Sequence, residues 1–201
     1  MHSHTSLDVR VVRLLLASAF ALFTVGPFEA AAEPVKGELI VPGKSIGRTH
    51  LGPDGAAYLK KLPKPNASDA GMSQNRLVWI SGKAPEINTL FIHTFANGAT
   101  DAKPTNGVTI DEIRITSREF RTREDVECGS TLTRIRKAFP KIQAAADASG
   151  SVYQDAARGI AFEFADAARD DSPCIAITVF IPNAVRFTRR DQIAGLLKDR
   201  Q

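Results

Sequence analysis

The chain has 201 residues, of which 43% are hydrophobic and 24% are charged, and its formal net charge is +4. This ordinary composition argues against a disordered, collagen-like or coiled-coil protein. The basic excess is small and spread along the chain, whereas a nucleic-acid interface needs a dense basic face with interleaved aromatic residues. We therefore expect no nucleic-acid partner.

The N-terminal segment has the pattern of an export signal. Arg10 and Arg13 precede apolar residues 14–25, a run that is too short to span a bilayer as a helix. Small residues then lead up to a cleavage position at Ala32. We predict that residues 1–32 are a signal peptide and that the mature product is periplasmic or secreted, with no transmembrane segment. A buried N-terminal helix is the alternative interpretation.

The first predicted half of the mature chain, residues 33–116, alternates short elements with turns. A helix is expected over residues 52–62, because Pro53 suits a first helical turn and Pro63 stops the helix. In the last strand of this half, the apolar alternation slips near Asp111, which predicts a β-bulge or a twist in a long strand. The strands of this half are predicted at residues 37–42, 76–80, 89–95 and 108–116.

The second predicted half, residues 117–187, follows the same plan. Ser130 is expected to cap a helix that runs to about Phe139. Two strands are predicted after it, at residues 159–164 and 174–181. The C-terminal residues 188–201 are expected to form an amphipathic helix with three inward side chains, Ile193, Leu196 and Leu197.

An internal repeat links the two halves. Residues 52–64 and 129–141 align at a constant offset, with a glycine before each helix, a proline after it and two shared lysines. Both segments are followed by the same predicted order of strands and loops, as expected of a duplicated unit. The sequence therefore predicts an α+β fold of two tandem repeats. Each repeat is a short helix packed on an antiparallel sheet of about three strands, and a C-terminal helix follows.

The strand–turn–helix segments at residues 113–120 and 129–140 resemble the repeat of small envelope proteins with tandem helix-plus-sheet domains. That group includes the β-lactamase inhibitor protein and the small lipoprotein of the outer-membrane β-barrel assembly machinery. The resemblance covers about residues 43–182 and implies this fold and a role in binding another protein. The chain has no lipidated cysteine after its apolar run and no residues that match an inhibitory loop, so the resemblance carries over no functional residue.

Cys128 and Cys174 are the two cysteines of the chain. In an oxidising compartment such a pair predicts one disulfide bond, and two buried free thiols are the alternative. Metal binding needs more ligands at short spacing than the sequence offers. We therefore predict a Cys128–Cys174 disulfide and no metal or other cofactor.

The sequence offers no recognisable catalytic motif. Gly43-Lys44-Ser45 lacks the earlier glycine and the following helix of a phosphate-binding loop, so a turn is expected there. His50 and His93 are the only histidines after the signal, and neither belongs to a nucleophile motif. We therefore predict no catalytic residue and no cofactor-binding residue.

Aromatic side chains concentrate in the first half, at Trp79, Phe91 and Phe95, with His93 between the last two. Aromatic residues presented by a sheet are common anchors at protein interfaces. These four residues are therefore candidates for a partner-facing surface, and packing in the core is the alternative.

Together these features predict an exported, non-enzymatic protein that binds another envelope or secreted protein, as an inhibitor or an accessory. Two alternatives stay open: a small periplasmic hydrolase built from His93 and loop carboxylates, and a structural accessory of envelope assembly. A pocket holding His93 and two acids favours the hydrolase, and a concave aromatic sheet face favours the binding protein. The candidate carboxylates are Asp101, Asp111, Glu112, Asp166, Asp170 and Asp171.

Overall fold

The structure is a computed structural model. It describes residues 38–84, 86–97, 107–145, 150–184 and 193–196. All of these residues belong to the second of the two units into which the chain divides, Glu33–Gln201. The predicted signal peptide with its cleavage site, and most of the predicted C-terminal helix, lie outside the described residues. Within the described ranges, no helix has the length and hydrophobicity needed to cross a membrane.

Strands dominate the described chain, and the helices are short. In chain order the elements are β1 (Leu39–Val41), β2 (Ser45–Ile46), β3 (Thr49–His50), α1 (Pro53–Leu59), β4 (Ala67–Gly71), β5 (Gln74–Ser81), β6 (Asn88–Asn97), β7 (Gly107–Ile115), β8 (Arg121–Thr122), α2 (Leu132–Ala138), β9 (Gln143–Ala144), β10 (Val152–Asp155), β11 (Ile160–Phe164) and β12 (Cys174–Phe180). Residues 193–196 add one helical turn.

Within the described ranges the strands form two sheets. The small sheet has the order β3-β2-β1-β8, and the large sheet has the order β4-β5-β6-β7-β12-β11-β10-β9. Neighbours in the large sheet are antiparallel throughout, whereas β8 runs parallel to β1. The large sheet consists of two meanders, β4 to β7 and β9 to β12. They join where Ile177 and Val179 of β12 pair with Ile115 and Ile113 of β7.

The predicted fold of two tandem repeats, each a helix on its own small sheet, is wrong. The strands assigned to the two halves are hydrogen-bonded into one large sheet through β7 and β12, and β1 to β3 form the small sheet with β8. The joining residues Ile113, Ile115, Ile177 and Val179 are all at most 2% exposed. Separate halves would present these apolar strands as unpaired edges, so one continuous sheet buries more apolar surface and satisfies more backbone groups. The content of the fold remains α+β.

The first helix is shorter than predicted. It covers Pro53–Leu59 rather than residues 52–62, and it packs against β3 and β7. Pro53 occupies the first helical turn as expected, where its missing N–H would have no partner within the helix. The helix ends before Pro63, which lies in the following segment without regular secondary structure.

The second helix begins one residue later than predicted, because a different side chain caps it. The Thr131 hydroxyl accepts a hydrogen bond from the Arg134 amide at 3.4 Å, which satisfies one of the unpaired amides of the first turn. Ser130, the predicted cap, accepts instead from the amide of Glu127 at 3.1 Å, in the turn before the helix.

The main hydrophobic core lies on one face of the large sheet, which packs against the small sheet and α2. Its fully buried side chains include Ile40, Ile92, Ile113, Leu132, Ile135, Phe139, Phe162 and Ile177. The opposite face of the large sheet carries smaller clusters. In one of them, Ile193 of the C-terminal helical turn packs with Val78 and Phe91.

Of the two alternatives predicted near Asp111, a β-bulge or a twist, the structure has the bulge. His93 of β6 pairs with Glu112, and the next residue, Thr94, pairs with Ile110, so Asp111 is the extra residue of β7. A bulge bends the strand locally and re-aims the side chain of the extra residue. Here the Asp111 carboxylate turns toward His93.

Candidate functional site

An open cavity of about 900 Å³ lies between the large sheet and the small sheet, and we call it the cleft. Its floor is a row of three residues on neighbouring strands: Trp79 pairs with Leu90, and Leu90 pairs with Ile115. Residues that are directly opposite in a sheet point to the same face. The indole and the two aliphatic side chains therefore form one continuous apolar surface.

The walls of the cleft come from elements that are distant in sequence. Tyr58 and Leu62 approach from α1 and its end, Ile46 comes from β2, and Phe120 follows β7. Charged side chains of both signs complete the lining, at Glu38, Arg48, Lys64 and Glu119. Among the described residues, none of these four charged side chains forms an ion pair. The cleft thus combines an apolar base with charges that remain available to a ligand.

Hydrogen bonds fix the position of the tryptophan. The Trp79 indole N–H donates to the Pro63 carbonyl at 2.8 Å. Asn66 joins the same segment to β5. Its backbone amide donates to the Val78 carbonyl, and its side-chain oxygen accepts from the Ile80 amide, both at 2.8 Å. These hydrogen bonds connect the floor of the cleft to its wall, so the shape of the cleft does not depend on a ligand.

A second cavity, of about 470 Å³, adjoins the cleft. The two cavities share Asn88, Ser117 and Glu119 as lining residues, and we call them together the groove. Ser117 is only 6% exposed, and its hydroxyl accepts from the Glu119 amide at 3.2 Å. The junction of the two cavities is therefore held by a buried polar side chain.

The structure separates the four residues predicted to face a partner. Trp79 lines the cleft. Phe91 and His93 are 1% and 0% exposed and are core residues rather than partner-facing ones, because the second face of the large sheet is covered at both positions. Phe95 is 39% exposed but lies at the end of β6 opposite to Leu90 and the cleft.

His93 has polar partners on both ring nitrogens. Nδ1 lies 2.7 Å from a carboxylate oxygen of Asp111, and Nε2 lies 3.2 Å from the side-chain oxygen of Gln74. An ionised Asp111 carboxylate can only accept, so the hydrogen bond at Nδ1 is donated by the ring. The ring has no exposed surface, so a substrate cannot reach it in this conformation.

Of the other carboxylates considered for a hydrolase, Glu112 pairs directly with His93 across β6 and β7 and is also fully buried, whereas Asp166, Asp170 and Asp171 lie in the segment between β11 and β12. Asp170 pairs with Arg136 at 2.7 Å, and Asp171 lies 3.7 Å from Arg169, both on the surface. Asp101 lies outside the described residues. Among the residues that the structure describes, no group of three His, Cys, Asp or Glu side chains could hold a metal ion.

Cys128 and Cys174 lie on adjacent backbone segments, and both are buried free thiols. The Gly129 amide donates to the Cys174 carbonyl at 2.7 Å, and the Cys174 amide donates to the Ser130 carbonyl at 2.9 Å. Burial raises the pKa of the Cys174 thiol, and the neighbouring Cys128 raises it further. The predicted disulfide is not formed in this structure.

Of the three residues that form the floor of the cleft, the sequence predicted Trp79 but not Leu90 and Ile115. The missing information is the strand register, which brings three residues from three strands into one row. A partial signal existed in the alternation of β6, which places Leu90 on the same face as Ile92. Phe120 carried no local signal, because only the pairing of the small sheet brings it near the cleft.

No protein-family model matches the sequence, and no curated protein matches it. Among solved structures, the chain is similar to yfeY, an uncharacterized protein from Escherichia coli, with 13% identity and a TM-score of 0.33. The match covers 74% of this chain and 97% of that protein.

Proposed function

We propose that this protein is an exported, non-enzymatic binding protein, and that the cleft receives an apolar side chain of another envelope or secreted protein. The observation that carries the proposal is the floor of the cleft, where Trp79, Leu90 and Ile115 stand in one cross-strand row. The cleft volume of about 900 Å³ lies in the range of ligand-binding sites. Burying one large apolar side chain of a partner there stabilises a complex by about 2–3 kcal/mol.

The composition of the cleft supports protein recognition. Aromatic and aliphatic side chains form the base, and charges, hydroxyls and amides form the rim, as in the apolar centre and polar rim of protein interfaces. The hydrogen bond between Trp79 and Pro63 orients the indole in advance, so binding costs little side-chain entropy at this anchor.

The single tryptophan of the chain gives a direct test. Peptides displayed on phage are selected against the purified protein, and binding is followed by the fluorescence of Trp79. Ser81 lines the cleft, whereas Ser68 lies exposed on β4 and lines neither cavity of the groove. We expect Ser81→Tyr, which fills the cleft, to weaken binding of the selected peptides about tenfold, and the matched control Ser68→Tyr to leave it unchanged.

We expect the selected peptides to be enriched in aromatic or branched aliphatic residues and to shift the emission of Trp79. The proposal fails if the peptides selected on the wild-type protein bind Ser81→Tyr equally well. It also fails if they bind without changing the tryptophan emission.

A further inference from the structure

We infer that the partner segment is an extended peptide with a basic residue two to four positions from its apolar anchor. This inference rests on the proposed function and specifies its ligand. The anchor occupies the cleft over Trp79, and the basic side chain occupies the second cavity of the groove, beside Glu86 and Glu119.

The continuity of the two cavities favours an extended ligand. Both cavities share Asn88, which precedes Leu90 by two residues at the start of β6, and Ser117, which follows Ile115 by two residues just after the end of β7. Because β6 and β7 are antiparallel, both steps lead in the same direction away from the floor. At a rise of about 3.3 Å per residue the step is about 7 Å. A compact ligand fills the cleft alone, whereas an extended peptide follows the strands through the junction.

The charges of the second cavity favour a cation. Its lining includes the carboxylates of Glu86 and Glu119 and one cation, Arg118. Glu86 and Glu119 are exposed, and within the described ranges neither forms an ion pair. The guanidinium of Arg118 lies against the backbone of Gly129. A Cβ added to Gly129 would be 3.4 Å from the Arg118 Cζ.

The remaining lining of the second cavity suits the stem of a lysine or arginine. Ile87 is 53% exposed and offers apolar contact, and Thr116 and Asn88 provide polar groups. Long basic side chains bury their methylene groups along apolar surface while the charged end meets carboxylates. The spacing of two to four positions follows from the step of about 7 Å to the junction and a similar distance beyond it.

The test uses three capped peptides that differ at one position. Each has a phenylalanine anchor in a serine–glycine background, and about three positions away it carries lysine, glutamine or glutamate. Binding to the full chain is measured by Trp79 fluorescence at low and at high salt. We expect the lysine peptide to bind about fivefold tighter than the glutamine peptide, which is about 1 kcal/mol for an exposed ion pair, and the glutamate peptide to bind weakest. The preference shrinks at high salt.

Variants of the groove assign the preference to its carboxylates. The double variant Glu86→Gln/Glu119→Gln is expected to bind the lysine and glutamine peptides equally. The control Asp166→Asn removes an exposed carboxylate that lines neither cavity of the groove, and it is expected to retain the preference.

Failure of this inference and failure of the proposed function give different results. Equal binding of the lysine and glutamine peptides by the wild-type protein, with a tryptophan response, overturns the inference and leaves the proposed function intact. A preference that persists in the double variant also overturns the inference. If no peptide changes the tryptophan emission at any salt concentration, the proposed function fails with it.

Discussion

The Gly43 amide donates to the Gly159 carbonyl at 3.1 Å, and the two glycine backbones lie against each other. A Cβ on Gly159 would lie 2.9 Å from the Gly43 Cα and 2.2 Å from the Phe180 carbonyl oxygen. Both glycines have positive φ, +66° and +68°. The contact joins the turn after β1 to the turn before β11, so it ties the small sheet to the large one.

We predict that Gly159→Ala lowers the free energy of unfolding by about 2 kcal/mol or more, because it adds both backbone strain and a clash with the Phe180 carbonyl. The matched control is Gly71→Ala on β4, where the added methyl group would have no atom within 4 Å beyond its chain neighbours and φ is not positive. Urea unfolding of both variants measures the difference. Similar midpoints for the two variants would show that the contact with Gly43 is not required.

The buried ion pair of the large sheet gives a second prediction. Arg114 donates to Glu163 from Nε at 3.0 Å and from Nη2 at 2.9 Å, and both side chains are 6% exposed. Glu163→Gln is expected to destabilise the protein by about 3–5 kcal/mol, because it removes the carboxylate that pairs with the buried guanidinium. The double variant Arg114→Met/Glu163→Leu is expected to recover most of that loss. Unfolding free energies of both variants test this prediction, and a double variant that is no more stable than Glu163→Gln contradicts the expected recovery.

Local signals in the sequence gave the correct elements where short-range sterics decide them. Pro53 marks the start of α1, although the helix ends at Leu59, well before Pro63, and the slipped alternation near Asp111 marks the bulge in β7. The assembly of the sheets depends on pairings between distant segments, such as Leu39 with Arg121 in the small sheet. The strand predicted at residues 37–42 contains β1, but the two-residue strands β2, β3 and β8 carry no periodicity, so their pairing into the small sheet could not be predicted.

In the candidate site, too, some features follow from local sequence and others depend on the pairing of distant segments. Trp79 was identified as a large aromatic side chain on a strand, which is a property of one residue. The apolar row around it needs the pairing of three strands, and the wall at Phe120 needs the small sheet. Gly43 was expected to lie in a turn rather than in a phosphate-binding loop, and it does lie in the turn after β1, where its close contact with Gly159 explains why glycine is needed.

The cysteines give a chemical prediction. Since Cys128 and Cys174 are buried free thiols, and burial raises the pKa of Cys174, neither is expected to react with a thiol reagent in the folded protein. After unfolding without reductant, titration should find two thiols per chain. A result of no thiols after unfolding would restore the disulfide predicted from the sequence. Fast reaction in the folded state would show that the site opens.

The ion pair between Glu124 and Arg158 makes stability depend on pH in a defined direction. Burial by itself raises the pKa of Glu124, but the hydrogen bond and charge of Arg158, at 2.6 Å, together with further hydrogen bonds, lower the pKa below its ordinary value. A carboxylate with a lowered pKa in the folded state stabilises the fold above its unfolded pKa of about 4.3, and this stabilisation disappears as the pH falls through the folded value.

We therefore expect the wild-type protein to be more stable than Glu124→Gln at pH 7, and the difference in unfolding free energy to shrink as the pH falls below the unfolded pKa of about 4.3 and through the lowered folded pKa. Arg158 also lies over the Phe139 ring, 4.4 Å from its centre, so Glu124→Gln tests the ion pair without removing that contact. Glu86→Gln serves as the control, because Glu86 is exposed and forms no ion pair among the described residues. Unfolding followed by circular dichroism from pH 7 to pH 3 gives the comparison, and a difference that is constant across this range would exclude the charge of Glu124 as its cause.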